Sequence, residues 1–145
     1  MKIFWAILIG FSCQAFAENT EFSALVRCVN YSGAEMTVVQ VERRVVDIYT
    51  PQVRFEDRLV ATTGTVDPGS SFPWFSGLIS TDVKGGDYIY AGKDFAMTLK
   101  LDWSTMKETD NSGGFTVSGP AVLQTTNSQG QSESLELNCD LYDHM

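Results

Sequence analysis

Few side chains in this 145-residue sequence could serve as a base, a nucleophile or a metal ligand. The one histidine, His144, immediately precedes the last residue, where the backbone is poorly held and a general base is not kept within hydrogen-bond reach of a substrate. The sequence also lacks a G-x-S-x-G nucleophile motif and the glycine-rich loops that cradle nucleotide phosphates. We therefore expect neither catalytic residues nor a cofactor.

Acidic residues leave one type of catalysis open. A glycosidase requires only two Asp or Glu side chains in one cleft, roughly 5 to 9 Å apart, and the chain has 18 acidic residues. The closest groupings lie at predicted turns or strand ends: Glu56 with Asp57, Asp82 with Asp87, and Asp102 with Glu108 and Asp110. Such carboxylates usually are solvated charges that protect strand edges and keep a protein soluble. A carboxylate-based hydrolase acting on glycans therefore remains only an alternative hypothesis.

The most polar segment, residues 105–114, carries oxygen-bearing side chains of the type that bind calcium. Glu108, Asp110 and Asn111 are the candidate ligands, although their spacing does not follow the EF-hand pattern. We interpret the segment as a loop with an Asx-rich turn, in which these side chains bond to the local backbone. No metal site is predicted, and calcium is the alternative at this loop.

Aromatic side chains cluster in two places. Phe72, Trp74 and Phe75 lie close together in sequence, and Tyr88 and Tyr90 share one face of a later strand because side chains alternate along a strand. On strands most of these rings would pack in the core, whereas on a loop they would project and anchor a partner or a sugar ring. These five residues are the candidate partner-binding residues.

The first 17 residues have the three parts of a secretory signal peptide. Lys2 supplies the positive charge, residues 3–11 form an unbroken apolar run, and Ala15 and Ala17 are the small residues before a cleavage site. As a helix the apolar run extends about 14 Å, far short of the roughly 30 Å hydrocarbon core, so it is not a membrane anchor. We expect cleavage before Glu18 and a periplasmic or secreted bacterial protein with no transmembrane segment.

Cleavage there would leave two cysteines, Cys28 and Cys139, because Cys13 is removed with the leader. An oxidising compartment and a single available pairing predict a disulfide between them. Neither a Cys-x-x-Cys motif nor a neighbouring histidine is present, which disfavours a metal-binding or reactive thiol pair. The bridge would join the first predicted strand to the last.

Alternation with a period of two predicts strands along residues 18–145. The clearest is 95–103 (FAMTLKLDW), in which every second residue is large and apolar, and the last, 135–141, alternates in the same way. Residues 36–41 and 44–49 predict one long bent strand or two short ones. The further predicted strands cover residues 22–29, 59–66, 72–80, 88–90 and 115–126.

No apolar stripe with a helical period extends over 11 or more residues after the leader, so we predict an all-β fold. About seven to nine short strands indicate a single domain, residues 18–145, that is an antiparallel β-sandwich or a small β-barrel. Alternation does not encode strand order, so both architectures stay open. Turns are predicted at 67–69 (DPG) and 84–87 (KGGD).

The chain is acidic, with 10 Lys and Arg residues against 18 Asp and Glu and a formal net charge of -8. Such a surface repels nucleic-acid phosphates. It favours a non-enzymatic binding or inhibitor module for an extracytoplasmic, basic partner, with a protein or a glycan as the ligand, because complementary charge speeds encounter. The other alternative is a structural subunit of a surface or outer-membrane assembly, joined to its neighbours through exposed strand edges.

Residues 87–99 (DYIYAGKDFAMTL) resemble the aromatic-Lys-Gly-x-x-Ala stretch of membrane-bound C-type lysozyme inhibitors. Gly92 and Lys93 stand in the reverse order, and the Ser-Gly-x-x-Tyr element of that family is missing, so no functional residue is carried over. The resemblance implies that an inhibitor of a basic hydrolase is one form that the binding module could take.

Overall fold

The computed structural model of the protein describes residues 21–47, 51, 54–65, 71–82, 86–111 and 114–142. The predicted leader with its cleavage site, the predicted turn at 67–69 and His144 lie outside these residues. The strands of the described part are β1 (Ser23–Ser32), β2 (Glu35–Asp47), β3 (Arg54–Thr65), β4 (Ser71–Asp82), β5 (Asp87–Ala91), β6 (Phe95–Leu101), β7 (Lys107–Asn111), β8 (Gly114–Asn127) and β9 (Ser132–Tyr142).

The strands form one antiparallel sheet in the order β6-β5-β4-β3-β2-β1-β9-β8-β7. Residues 121–127 of β8 also pair with β6, and this pairing joins the two ends of the series. The result is a closed eight-stranded barrel, with β7 as an additional strand beside residues 114–118 of β8. The predicted all-β fold is confirmed, and the barrel is the architecture that the chain adopts.

The alternation predicted from the sequence separates an apolar interior from a wet exterior. In β6, Met97, Leu99 and Leu101 are buried whereas Lys100 is exposed, and in β9 Leu137 is buried. Buried apolar residues of β1, β2, β3, β5, β6, β8 and β9 meet inside the barrel and form one core, against which Phe75 and Ile79 of β4 pack. Within the described part of the chain, no polar or charged residue is fully buried.

Cys28 and Cys139 form the predicted disulfide, and both are fully buried. They are direct register partners on β1 and β9, with their Cα atoms 3.9 Å apart. Where they are described, β1 and β9 share four register pairs, whereas β8 and β9 share eleven. The disulfide therefore reinforces one of the shorter strand pairings of the barrel and connects the strands that come first and last in the chain.

Local irregularities bend the strands. Residues 36–47 form part of a single strand, β2, whose register against β3 shifts between Val45 and Asp47, so the one long bent strand is the correct alternative. A second shift lies between Ala61 and Thr62 on β3. Bulges of this kind increase the local twist and bend that a sheet needs in order to close.

Three consecutive register pairs between β2 and β3 each join an arginine to a carboxylate: Glu42 with Arg58, Arg43 with Asp57, and Arg44 with Glu56. A slip by two residues would place Glu42 opposite Glu56 in one direction, or Arg44 opposite Arg58 in the other. Slips by one residue would also bring like charges together and would turn the apolar face outward. The charge order therefore favours the observed register.

The hairpin predicted at 84–87 is present, since β4 and β5 pair up to Asp82 and Asp87. Gly86 has a φ of 72°, in the left-handed region where a side chain would be strained. Residues 83–85 of the connection lie outside the described part of the chain.

The prediction of a loop over residues 105–114 is wrong, because residues 107–111 form β7 and pair with residues 114–118 of β8. The sequence KETDN of β7 contains no large apolar residue, so it lacks the alternation on which strand prediction depends. Polar side chains are tolerated there because β7 is the last strand of the series, at an edge of the sheet.

Removal of the disulfide by the double substitution Cys28→Ser and Cys139→Ser should lower the free energy of unfolding by roughly 2 to 5 kcal/mol, because the bond restricts the unfolded chain. Urea denaturation of the oxidised parent and of the variant measures the difference. A reductant should destabilise the parent by a similar amount and leave the variant unchanged. Equal stability of parent and variant would show that the bond does not hold the barrel together.

Candidate functional site

An open cavity of about 700 Å³ lies at the end of the barrel that carries the β1–β2, β5–β6 and β8–β9 turns. We call this end the Trp74 end. One wall of the cavity is formed by Trp74, Phe95 and Met97, and the other by residues 125–127 and 131–133 of the β8–β9 hairpin. The interior of an eight-stranded barrel either is filled by side chains or holds one small ligand, and this end retains space for a ligand.

A bulge in β4 positions Trp74. Ala61 pairs with Phe75 and Thr62 pairs with Pro73, so Trp74 is the extra residue between them. Its indole Nε1 donates a hydrogen bond to Oγ1 of Thr63, at 3.1 Å, and the side chain is left 52% exposed. The bulge therefore places a fixed, half-exposed indole on the rim of the cavity.

Three further rings continue inward from Trp74. The ring of Phe75 contacts Tyr90 with a centroid distance of 4.7 Å and Phe95 with one of 5.4 Å, both edge to face. A Cβ atom at Gly77 would lie 2.8 Å from ring atoms of both Phe75 and Tyr90, so the absence of a side chain there lets the rings pack against the strand. These rings connect the cavity wall to the core.

Hydrogen bonds fix the polar wall of the cavity. Within the β8–β9 turn, Oδ1 of Asn127 accepts hydrogen bonds from the backbone N–H groups of Gln129 and Gln131. The hydroxyls of Thr126 and Ser132 lie 2.9 Å apart across the hairpin. This wall is therefore ordered before any ligand arrives, which reduces the entropic cost of binding.

The five predicted aromatic residues separate into three environments. Tyr88 is buried in the core, Phe75 and Tyr90 pack against the core and lie beneath the cavity, and Phe72 and Trp74 are exposed at 71% and 52%. Of the five, Trp74 lines the cavity directly.

Sequence reasoning missed Phe95 and the polar wall. The sequence predicts Phe95 on a strand, but one sequence alone does not indicate that Phe95 pairs with Asn127 and Met97 with Thr125. The short NSQGQ turn could have pointed to a fixed hairpin, because Asn and Gly favour turns, but not to its position beside an aromatic wall.

The opposite end, which we call the Arg43 end, is occupied by an ion pair. Arg43 donates two hydrogen bonds to the carboxylate of Asp57, at 2.7 and 2.9 Å, and the Asp57 side chain is only 9% exposed. The hydrogen bond to Asp57 is the main reason that the pKa of Arg43 is raised. Near this pair, burial raises the pKa of Tyr88, and the charge of Asp57 raises it further.

The acidic neighbours Glu56 and Asp57 do not form a two-carboxylate site. They point to opposite faces of β3, and each accepts hydrogen bonds from its own arginine, Arg44 for Glu56 and Arg43 for Asp57. The guanidinium of Arg44 also lies 4.7 Å from the ring centre of Phe22. This arrangement is a structural ion-pair network rather than a cleft for general acid–base chemistry.

The proposed calcium ligands lie on or next to an edge strand. Glu108 is exposed on β7, whereas the side chains of Asp110 and Asn111 lie outside the described residues. Among described residues, no group of three or more His, Cys, Asp or Glu is arranged to hold a metal ion.

Strand β4 is paired on one side over most of its length. It pairs with β3 along residues 71–79, whereas its described pairing with β5 is limited to three residues. Phe72, Trp74 and Leu78 on this strand are all more than half exposed. An unpaired backbone edge beside exposed apolar side chains is a template for pairing with another strand.

No protein-family model matches the chain, and searches of curated proteins and of solved structures also find no match. Within the part of the chain that the structure describes, no helix is long and apolar enough to cross a membrane.

The raised pKa of Tyr88 predicts a loss of stability at high pH. A tyrosine with a higher pKa in the folded protein contributes stability that is complete below its unfolded pKa of about 10 and is lost as the pH rises through the folded value. We expect the free energy of unfolding to fall above about pH 10, and Tyr88→Phe to reduce this fall. Tyr31→Phe, at a 66% exposed position, is the control and should leave the pH dependence unchanged.

Proposed function

We propose that this protein is a non-enzymatic binding module that acts outside the cytoplasm and captures a basic partner at the Trp74 end of its barrel. The observation that carries the proposal is the half-exposed indole of Trp74 on the rim of a cavity of about 700 Å³. A cavity with an apolar aromatic wall and a few fixed polar groups is the usual form of a ligand site.

The half-exposed position of Trp74 has a free-energy cost. An indole left half in water forgoes the free energy of burial, and a ligand or partner that covers it recovers that free energy. Tryptophan is also among the residues that most often dominate binding when a partner buries them. The hydrogen bond to Thr63 holds the ring in place, so binding does not have to order it.

Charge supports a basic partner. The formal net charge is -8, and the three arginine–carboxylate pairs of the β2–β3 ladder leave this excess of negative charge unchanged. A negative field raises the rate at which positively charged molecules arrive, and salt screens it. The Cys28–Cys139 disulfide supports an extracytoplasmic location, because such bonds persist in oxidising compartments.

The substitution Trp74→Ala tests this proposal. A protein of residues 18–145 would be immobilised, exposed to periplasmic and culture fluid, and washed with buffers of increasing salt concentration. A separate cell-wall lysis assay with a basic lysozyme would test one defined partner. Trp74→Ala should weaken retention by about tenfold or more, as expected for a central anchor. Trp103→Ala is the matched control, since Trp103 is 47% exposed in the turn after β6, at the Arg43 end.

Retention that is equal in parent and Trp74→Ala, or that does not decrease with salt, would refute the proposal. Failure in the lysozyme assay alone would remove that partner and leave the others to be identified from the captured material.

A second candidate function is that of a structural subunit that joins its neighbours through β4. The edge of β4 along residues 71–79 favours it, because strand addition needs free backbone groups on one side of a strand. Size-exclusion chromatography over a wide concentration range tests it. Assembly should increase with concentration, and Ser76→Lys, which places a charge at an exposed position of the edge, should prevent it. A monomer at every concentration would exclude this function.

A further inference from the structure

We propose that the cavity at the Trp74 end is a receptor for an organic cation, namely an ammonium or guanidinium group on a short aliphatic stem. A lysine or arginine side chain of a protein has this chemistry, and so does a free alkylamine. The inference rests on the proposed function and specifies which part of a basic partner the site takes.

One carboxylate provides the first argument. Among the described residues that line the cavity, Glu133 is the only charged one, and no lysine or arginine is present to neutralise it. The backbone of Glu133 pairs with Thr125 at the Trp74 end of β9, and its carboxylate makes no hydrogen bond or ion pair within the described part of the chain. A solvated carboxylate beside an apolar wall is a ready partner for a charge-assisted hydrogen bond.

The contrast with the Arg43 end strengthens this argument. There the carboxylates of Glu42, Glu56 and Asp57 each bind an arginine of the same chain. At the Trp74 end the solvent-exposed carboxylate of Glu133 lines the cavity and has no such arginine among the described residues, so a ligand can supply the cation.

The aromatic wall provides the second argument. Trp74 and Phe95 line the same cavity as Glu133, and the electron-rich faces of such rings attract cations within about 6 Å, tryptophan most strongly. Met97, between them and the core, offers an apolar surface to an aliphatic stem. The cavity therefore presents one surface to the charge and another to the carbon chain.

The remaining polar groups fit a donor-rich ligand. The hydroxyl oxygen of Thr125 can accept a hydrogen bond from an ammonium or guanidinium group, and the amide oxygen of Gln131, which already accepts one from Nδ2 of Asn127, can accept a second through its other lone pair. A carboxylate or phosphate ligand would instead approach Glu133 against like charge, in a protein with a net charge of -8. The cavity thus selects against anions.

A fluorescence titration tests the inference. Trp103→Phe in residues 18–145 leaves Trp74 as the only tryptophan, so its emission reports on the cavity. The probes are n-butylammonium and n-butylguanidinium, with n-butanol as the neutral analogue and butyrate as the anionic one. We expect the two cations to bind about tenfold more tightly than butanol, and butyrate not to bind.

Two glutamate variants provide the decisive comparison. Glu133→Gln should weaken binding of both cations about tenfold and leave butanol binding unchanged, because it removes the charge and keeps the shape. Glu136→Gln is the matched control: Glu136 is exposed on the same strand but pairs with Val122 on the outer face, so its loss should change binding by less than about twofold.

A peptide with one lysine, compared with its acetyl-lysine counterpart, identifies the source of the cation. Binding of the lysine peptide that exceeds binding of n-butylammonium assigns the site to a protein side chain; the reverse order assigns it to a free organic cation. If the lysine peptide binds more tightly, the acetyl-lysine peptide should not bind, because acetylation removes the charge of the ammonium group.

Equal affinity for n-butylammonium and n-butanol, or unchanged cation binding by Glu133→Gln, overturns the inference. The capture experiment with Trp74→Ala does not depend on Glu133, so salt-sensitive capture through Trp74 would then leave the binding module in place with a different ligand chemistry. Capture that is insensitive to Trp74 would refute the proposed function itself.

Discussion

Closure of the sheet is the constraint on which the rest of this structure depends. An eight-stranded sheet encloses an interior only when its strand pairings form a closed ring, because the apolar faces of an open sheet would remain in water. Here the β6–β8 pairing joins the two ends of the strand series, and β1 and β9 pair over a short stretch that contains the Cys28–Cys139 bond. The core and the cavity both require that this ring of pairings stays closed.

The two ends of the closed barrel carry opposite chemistry. At the Arg43 end, the inward-facing position of Arg43 is neutralised by Asp57 across the β2–β3 register. At the Trp74 end, a bulge adds a residue to β4 and leaves an indole beside Glu133, for which the described residues supply no partner. A barrel that is internally satisfied at one end and open at the other is suited to holding a ligand, and the proposed cation site follows from this asymmetry.

Local sequence features predicted much of the fold and little of the site. Alternation at 95–103 and 135–141 identified β6 and β9, because the direction of a side chain on a strand depends only on its position along that strand. The polar strand β7 was mistaken for a loop because it has no apolar residue to alternate. Trp74 was identified as a candidate, but the roles of Phe95 and Glu133 beside it were not, since they come from distant parts of the chain.

By itself, then, the sequence determined the all-β class, the Cys28–Cys139 pair and the acidic charge, because periodicity, cysteine number and composition are properties of the chain alone. Only the tertiary structure decided that the sheet closes into a barrel, and that β4, β6 and β9 bring Trp74, Phe95 and Glu133 around one cavity. The physical reason is that strand order, register and a single bulge are set by contacts between distant residues, and these decide which inward-facing side chains meet.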